Sequence, residues 1–308
     1  MMFRCILNKT DRIQYLAIIA LIWSQPILSN PLQDASPKVS TQLIDIDQSN
    51  WQSRGNRFAC YLTQSINNGY IEFIARAGHP LSLSMYSGDR SSSGTLTLIR
   101  TSPPWKPNGK PIEQGKGTVS PQNPYQPNGA EGLLRGLMTG EWGKVVLDNA
   151  KGQHSITLSS TGIHQSALAF QGCRNNLLPA SFDQISLLRV QFSSGKTRPQ
   201  PRFADNLSDL ATYVSADENI VEVLVDGHTD SAGHHLDNLQ IAKDRADSIA
   251  SYLQYLGIPE DKIKTRFHSD RYPVATNNTA AGRAQNRRVE VRLIRKNTPP
   301  DPQTFFSK

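Results

Sequence analysis

Two kinds of hydrophobic periodicity divide this chain of 308 residues. From Trp51 to Phe170, apolar and polar residues alternate over short runs: Tyr70–Arg76, Leu81–Tyr86, Thr95–Arg100 and Ser155–Ser159, with Trp142–Leu147 as a further candidate. A period of two bounded by turn residues predicts half-buried strands. Strands in series without helices between them predict an antiparallel β domain, a sandwich or a barrel. The stretch Thr101–Ala130 is dense in proline and glycine and predicts a long loop, followed by a short helix over Glu131–Met138. Residues 31–50 are polar and weakly patterned, an extended lead-in.

A second pattern begins near Ser186. Leu188, Val190 and Phe192 alternate as a strand, Ser193–Pro201 reads as a linker, and Phe203, Leu207, Leu210 and Val214 mark a helix. Val221–Val225 is a β-branched and apolar run that predicts a buried strand, ended by Asp226-Gly227. From His235, the residues Leu236, Leu239, Ala242, Ala246, Ile249, Leu253 and Leu256 recur at three and four, and Gly257 with Pro259 closes the helix. Strands at Ile263–Phe267 and through Val289, Val291 and Leu293 complete an α+β sheet covered on one face. The expected order is a leader (1–30), an N-terminal β domain (31–182), an α/β sandwich domain (183–295) and a disordered tail (296–308).

Composition changes the picture in three ways. Arg4, Lys9 and Arg12 precede the apolar run Leu16–Trp23, with small residues near Ser29, the pattern of an export signal. The run is too short for a comfortable membrane span. Removing residues 1–30 takes away three basic residues and one acidic residue, so the formal charge of +7 becomes +5, which suits an anionic wall polymer. Nucleic acid is not expected as a partner, because an exported protein rarely meets it and no basic helix with interleaved aromatics is present. Of the three cysteines, Cys60 and Cys173 remain after cleavage, and an even pair in an oxidising compartment predicts a disulfide. Closing so long a loop is worth up to ~4–5 kcal/mol in the chain-entropy picture.

The candidate chemistry lies between the central strand and helix. Asp230 sits in the connecting loop, and Asn238 and Arg245, seven apart, share one helix face. A carboxylate and a guanidinium across a small loop can grip a zwitterion, Asp230 taking an ammonium and Arg245 a carboxylate. They can equally form a salt bridge that pins loop to helix. His228, Asp230, His234 and His235 offer metal-ligand chemistry without a known zinc spacing. Ser231 beside His228 and Asp230 cannot form a nucleophile–base–orienter chain, and there is no nucleophile elbow. Neither an enzyme nor a metal or other cofactor is expected. In the arginine cluster Arg283, Arg287, Arg288, Arg292 and Arg295, the strand positions Arg288 and Arg292 share a face opposite Val289 and Val291 and read first as solvated.

Gly227-His228-Thr229-Asp230, Gly233, Asn238, Arg245-Ala246 and Asn286-Arg287-Arg288-Val289-Glu290 together resemble the signature of OmpA-like peptidoglycan-binding domains. The resemblance covers roughly Ser186 to Ile294. It implies that Asp230 and Arg245 grip the amino and carboxyl groups of diaminopimelate in the stem peptide. It also sets Thr229 and Asn238 beside them, with Arg287 or Arg288 adding positive charge. Ile241-Ala242 stands where the family has Leu-Ser, and His268-Ser269 replaces a Gly-x-Gly. In the first half, Pro103-Pro104-Trp105-Lys106-Pro107, the paired cysteines, Asn176-Leu177-Leu178 and Ser181-Phe182-Asp183 resemble the MotY family. That resemblance implies a structural, periplasmic component of a sodium-driven polar flagellar motor, whose N-terminal domain docks on the basal-body ring and supports the stator proteins. Competing expectations are an outer-membrane β-barrel with a wall-anchoring domain and a general wall-tethering stabiliser.

Overall fold

The computed structural model describes residues 39–44, 47, 49–87, 93–106 and 109–296. The expected leader, and the tail beyond Lys296, lie outside these residues. Among the described residues, no helix is long and apolar enough to cross a membrane.

The first half holds two open sheets. Strands β2 (Trp51–Gly55), β3 (Ala59–Ile66), β4 (Gly69–Arg76) and β5 (Ser82–Ser87) form an antiparallel meander in the order β2-β3-β4-β5. The other sheet uses β1 (Val39–Leu43), β6 (Gly94–Thr101), β7 (Ile112–Val119), β8 (Trp142–Asn149) and β9 (Gly152–Leu158) in the order β1-β9-β8-β6-β7. It is antiparallel except that β1 runs parallel to β9. Neither sheet closes into a barrel, so the sandwich expectation holds and the barrel one does not.

Alternation explains the shared core. Leu62, Phe73 and Leu83 from one sheet meet Leu98, Val145 and Ile156 from the other. Helices α1 (Ala130–Met138) and α2 (Ile163–Asn175) add Leu133, Leu137, Ala167 and Phe170. Each fully buried Leu or Phe contributes about 1.5–3 kcal/mol relative to exposure. Cys60 on β3 and Cys173 on α2 are joined by a disulfide with their Cα atoms 6.0 Å apart. Gly55 makes room for it, since a Cβ there would lie 2.5 Å from the Cys173 sulfur.

Strand β7 corrects the expected loop at Thr101–Ala130. Its sequence, IEQGKGTV, has no apolar alternation because it is a sheet edge that pairs through its backbone with β6 and buries little. The lead-in likewise contains a strand, β1. Helix α2 is a further element the alternation hides: its buried stripe is only Ile163, Ala167 and Phe170.

The second half begins with a one-turn helix, α3 (Phe182–Ile185), and continues through β10 (Leu187–Gln191), α4 (Ala204–Ala216), β11 (Ile220–Gly227), α5 (His235–Tyr255), β12 (Ile263–Phe267), α6 (Ala280–Asn286) and β13 (Arg288–Arg295). Its sheet has the order β10-β13-β11-β12, with β11 and β12 parallel and the other pairs antiparallel. Val223, Val225, Val289 and Val291 meet Leu207, Leu210, Ile249 and Leu253 from the helices. The stripe on α5 starts later than its spacing predicts: Leu236 is 77% exposed, and burial begins at Asn238. Two core clusters therefore exist, but the second also includes Ala77 from the turn after β4 and Leu178 from the connection, with Phe58 packed against it.

Candidate functional site

The site forms where β11 delivers its last residues beneath the start of α5. Gly227 permits this approach, because a Cβ there would sit 2.1 Å from the Ala242 carbonyl oxygen. The chain then leaves the sheet through His228, Thr229 and Asp230. Gly233, at φ +93°, turns it into α5 in a conformation that favours glycine. Backbone bonds fix the exit: the His228 N–H donates to Arg288 O at 2.9 Å and the Thr229 N–H to Ser269 O at 2.9 Å. Ser269 is the only described non-glycine residue with positive φ, +53°. It stands in the segment where the family pattern has Gly-x-Gly, so a glycine-like backbone is kept with a serine in it.

Asp230 is 7% exposed. Its Oδ2 accepts from Arg287 Nη1 at 2.7 Å, and Oδ1 accepts from the Ala232 N–H at 3.2 Å. Asn238 donates to the carbonyls of Asp230 at 3.3 Å and Ala232 at 3.0 Å, so it holds the loop's shape. Arg245 is 1% exposed. It donates from Nε to Lys196 O at 2.9 Å, from Nη1 to His228 O at 3.0 Å and from Nη2 to Ser193 O at 3.4 Å. The alternative reading, a salt bridge between Asp230 and Arg245, is not what forms: Asp230 pairs with Arg287. Arg245 meets neutral carbonyls and the Phe192 ring, 5.2 Å from its guanidinium carbon. Burial lowers its pKa to about 10, and the nearby Arg287 charge pushes the same way while Asp230 opposes.

Arg287 and Arg288 diverge as neighbours on a strand start must. Arg288 is buried on the other sheet face, where Nε donates to Glu290 Oε1 at 2.9 Å and Nη2 to Tyr272 O at 3.2 Å. The solvated reading holds for Arg292 and fails for Arg288. Across that face Arg189, Arg288 and Arg292 surround Glu290, and Arg266 grips Asp226 with two bonds of 2.6 and 2.7 Å. Burial pushes the Asp226 carboxyl up, but hydrogen bonds from Arg266 and His268 outweigh it and hold the pKa below the usual value.

The histidines do not converge. His228 is buried and stacks on His268 at 5.0 Å, while His234 and His235 are exposed. Among the described residues, no group of three or more His, Cys, Asp or Glu could hold a metal. Burial, then the charges of Arg288 and His268, lower the His228 pKa to about 4, so the ring is neutral at pH 7. Its Nδ1 and the Thr229 hydroxyl are buried without a hydrogen-bond partner.

The sequence reading missed one strut. Asn286, fully buried, accepts from the Val274 and Ala275 N–H groups and donates to Ala275 O and Asn277 Oδ1, all within 2.8–3.0 Å. Asn277 in turn accepts from the Ser231 N–H at 3.3 Å. The signal was its place directly before the arginine pair, a polar residue ending a helix that buries only one other residue, Gly282.

This fold and site define a class: residues 191–287 match the OmpA family, and residues 43–179 match the MotY N-terminal domain. The chain is similar to the sodium-type flagellar protein MotY of Vibrio parahaemolyticus, 28% identical over 264 residues, covering 80% of this chain and 88% of that one. The C-terminal part alone is 39% identical over 104 residues to the probable lipoprotein YiaD of Escherichia coli, 34% of this chain and 47% of that protein. Among solved structures, the peptidoglycan-associated lipoprotein of Burkholderia pseudomallei aligns at TM-score 0.33 and 25% identity, covering 34% of this chain and 89% of its own.

Proposed function

We propose that the chain is a non-enzymatic, periplasmic structural component of a flagellar motor. Residues 183–295 hold peptidoglycan, and the β domain at 31–182 docks on the basal-body ring, where the protein supports the stator. The observation that carries the wall-binding half is the charge arrangement at the loop. A nearly buried carboxylate, Asp230, lies beside two guanidiniums, those of Arg287 and Arg245. A diaminopimelate centre bears an ammonium and a carboxylate on one carbon, and each meets the opposite sign here. Asp230 takes the ammonium, and Arg245 takes the carboxylate. Because Arg245 is buried, the ligand reaches it by replacing the Ser193 carbonyl, whose 3.4 Å bond is the longest of the three. Asn238 keeps the loop in shape, and the Thr229 hydroxyl is a further donor beside Asp230. Arg288 supports the sheet rather than the ligand. The motor half rests on the MotY relative, whose likeness runs through both domains.

The test is co-sedimentation of the mature protein with purified sacculi. Truncating one partner of a buried charge pair costs about 2–5 kcal/mol. Asp230→Ala and Arg245→Ala should each remove the protein from the pellet while circular dichroism stays native, and Arg245→Lys should recover little. Folded alanine variants that pellet like the parent would leave these residues as a structural ion network only.

A further inference from the structure

We propose that the β domain docks through the free edge of β1, which takes an extended segment of the basal-body ring as an added strand. The inference rests on the docking reading above and gives it a surface and a form of ligand. Edge strands are normally blunted by charge, proline or cover, because their open N–H and C=O groups template further pairing. The sheet edges here are β1, β7, β2, β5, β10 and β12. Charge marks β7 (Glu113, Lys116), β2 (Arg54), β10 (Arg189) and β12 (Lys264, Arg266). Strand β5 has none, but Gln126 covers it through two backbone bonds of 2.8 Å with Leu83. Strand β1, VSTQL, has neither charge nor proline, and among the described residues no strand pairs with its outer side. Backbone direction shows what that side offers. The Ile44 N–H donates to Thr157 O of β9, and alternate residues point the same way, so Ser40 and Gln42 also face β9. Thr41 and Leu43 therefore turn their N–H and C=O groups outward, a donor and an acceptor each.

Beside this edge the two sheets part. The tip of the β3–β4 hairpin, Ile66–Asn68, faces β1 across a cleft of about 560 Å³ with Met85, Leu147 and Ile156 in its lining. A smaller recess of about 170 Å³ continues along Gln42, Ile44 and Ser65. An added strand sends alternate side chains into the cleft, on the side of Ser40 and Gln42, and the others outward beside Leu43, which is 55% exposed. The lining selects the occupant. Met85, Leu147 and Ile156 suit aliphatic side chains, while the ionisable lining residues, Lys151 and His154, are both basic and suit an acidic neighbour. The occupant is thus an extended aliphatic segment flanked by acid. A second copy of β1 matches poorly, because edge-to-edge pairing would turn its polar Ser40 and Gln42 toward the apolar lining.

The experiment mixes the full mature protein with basal bodies that are stripped of peptidoglycan and come from cells lacking it. The parent should co-sediment with them. With p-benzoylphenylalanine in place of Leu43, irradiation should cross-link the protein to a ring component, at a segment whose alternate residues are aliphatic. Leu43→Pro removes one outward N–H and keeps an extended backbone, so it should weaken co-sedimentation about tenfold or more, the order for one ladder donor removed. Its binding to sacculi should stay at the parent level, which shows that the chain is folded. Co-sedimentation without a cross-link from Leu43, or a folded Leu43→Pro that binds basal bodies like the parent, overturns the inference and leaves the docking reading intact. A cross-link between two copies of the chain overturns it in favour of β1–β1 pairing. If the parent does not sediment with basal bodies, the docking reading falls and the inference with it. The cross-link decides the matter whether or not Leu43→Pro folds.

Discussion

At the scale of single residues, the site couples ligand chemistry to buried polar groups whose protonation matters for stability. His228 is the clearest. Its pKa is about 4 in the folded chain, against about 6.5 for an unfolded histidine. A depressed folded pKa means that the unfolded state binds the proton first as pH falls. Stability is then lost from pH ~6.5 down to ~4, with a slope of up to ~1.4 kcal/mol per pH unit. Urea unfolding at several pH values should show this loss, and His228→Gln should flatten it over that window; an unaltered slope in the variant would assign the dependence to other groups. Helical spacing placed Asn238 and Arg245 on one face, and the resemblance to OmpA-like domains joined Asp230 in the preceding loop to them. Neither revealed that Arg287 faces Asp230 while Arg288 turns away, since that depends on where β13 starts in the sheet. Nor could spacing show that the Ser193–Lys196 turn caps Arg245, a contact across 49 residues.

At the scale of elements, periodicity was legible wherever one face alone is buried. Strand β6 and the helices α4 and α5 show it, while β4 and β5 alternate in sequence although residues on both of their faces are buried. It failed at β7, an edge held by backbone bonds, and at α6, which buries only Gly282 and Asn286. The joint between β11 and α5 decides the site's geometry, and it rests on Gly227. Its methyl substituent would fall 2.1 Å from the Ala242 carbonyl oxygen and 3.3 Å from the Ala246 Cβ. Neither atom can yield without the helix moving. Gly227→Ala should therefore destabilise the protein by about 1–3 kcal/mol, the usual cost of overpacking. Because α5 carries both Asn238 and Arg245, sacculus binding should weaken in the fraction that remains folded. A variant with the parent's melting temperature and binding would mean that the helix has slack at this contact.

At the scale of the whole molecule, the change of hydrophobic period near Ser186 suggests a boundary, and the packing shows what lies across it. Phe58, from the turn between β2 and β3, meets Tyr213 of α4 edge-on at 5.5 Å, and Phe182 approaches the same ring at 6.1 Å. Arg295, at the end of β13, bonds Asp217 and Tyr213 while its guanidinium lies over Phe182 at 4.4 Å. Gln184 donates to Gly78 O at 2.9 Å and accepts from the Ser181 N–H at 2.9 Å, tying the start of α3 to the turn after β4. The connection is thus part of the second core, and the proposed division at residue 183 cuts through α3. A fragment starting at Asn176 keeps Leu178, Phe182 and Ile185, whereas one starting at Ser186 loses all three. At about 1.5–3 kcal/mol per buried apolar side chain, reduced because Phe182 is only partly buried, the shorter fragment should be less stable by several kcal/mol. The comparison is by urea denaturation monitored by circular dichroism. The longer fragment should fold and pellet with sacculi, and the shorter one should have a clearly lower midpoint or remain unfolded. Equal midpoints would make residues 176–185 a linker that merely lies against the domain, and the true boundary would then be the one the hydrophobic pattern marks.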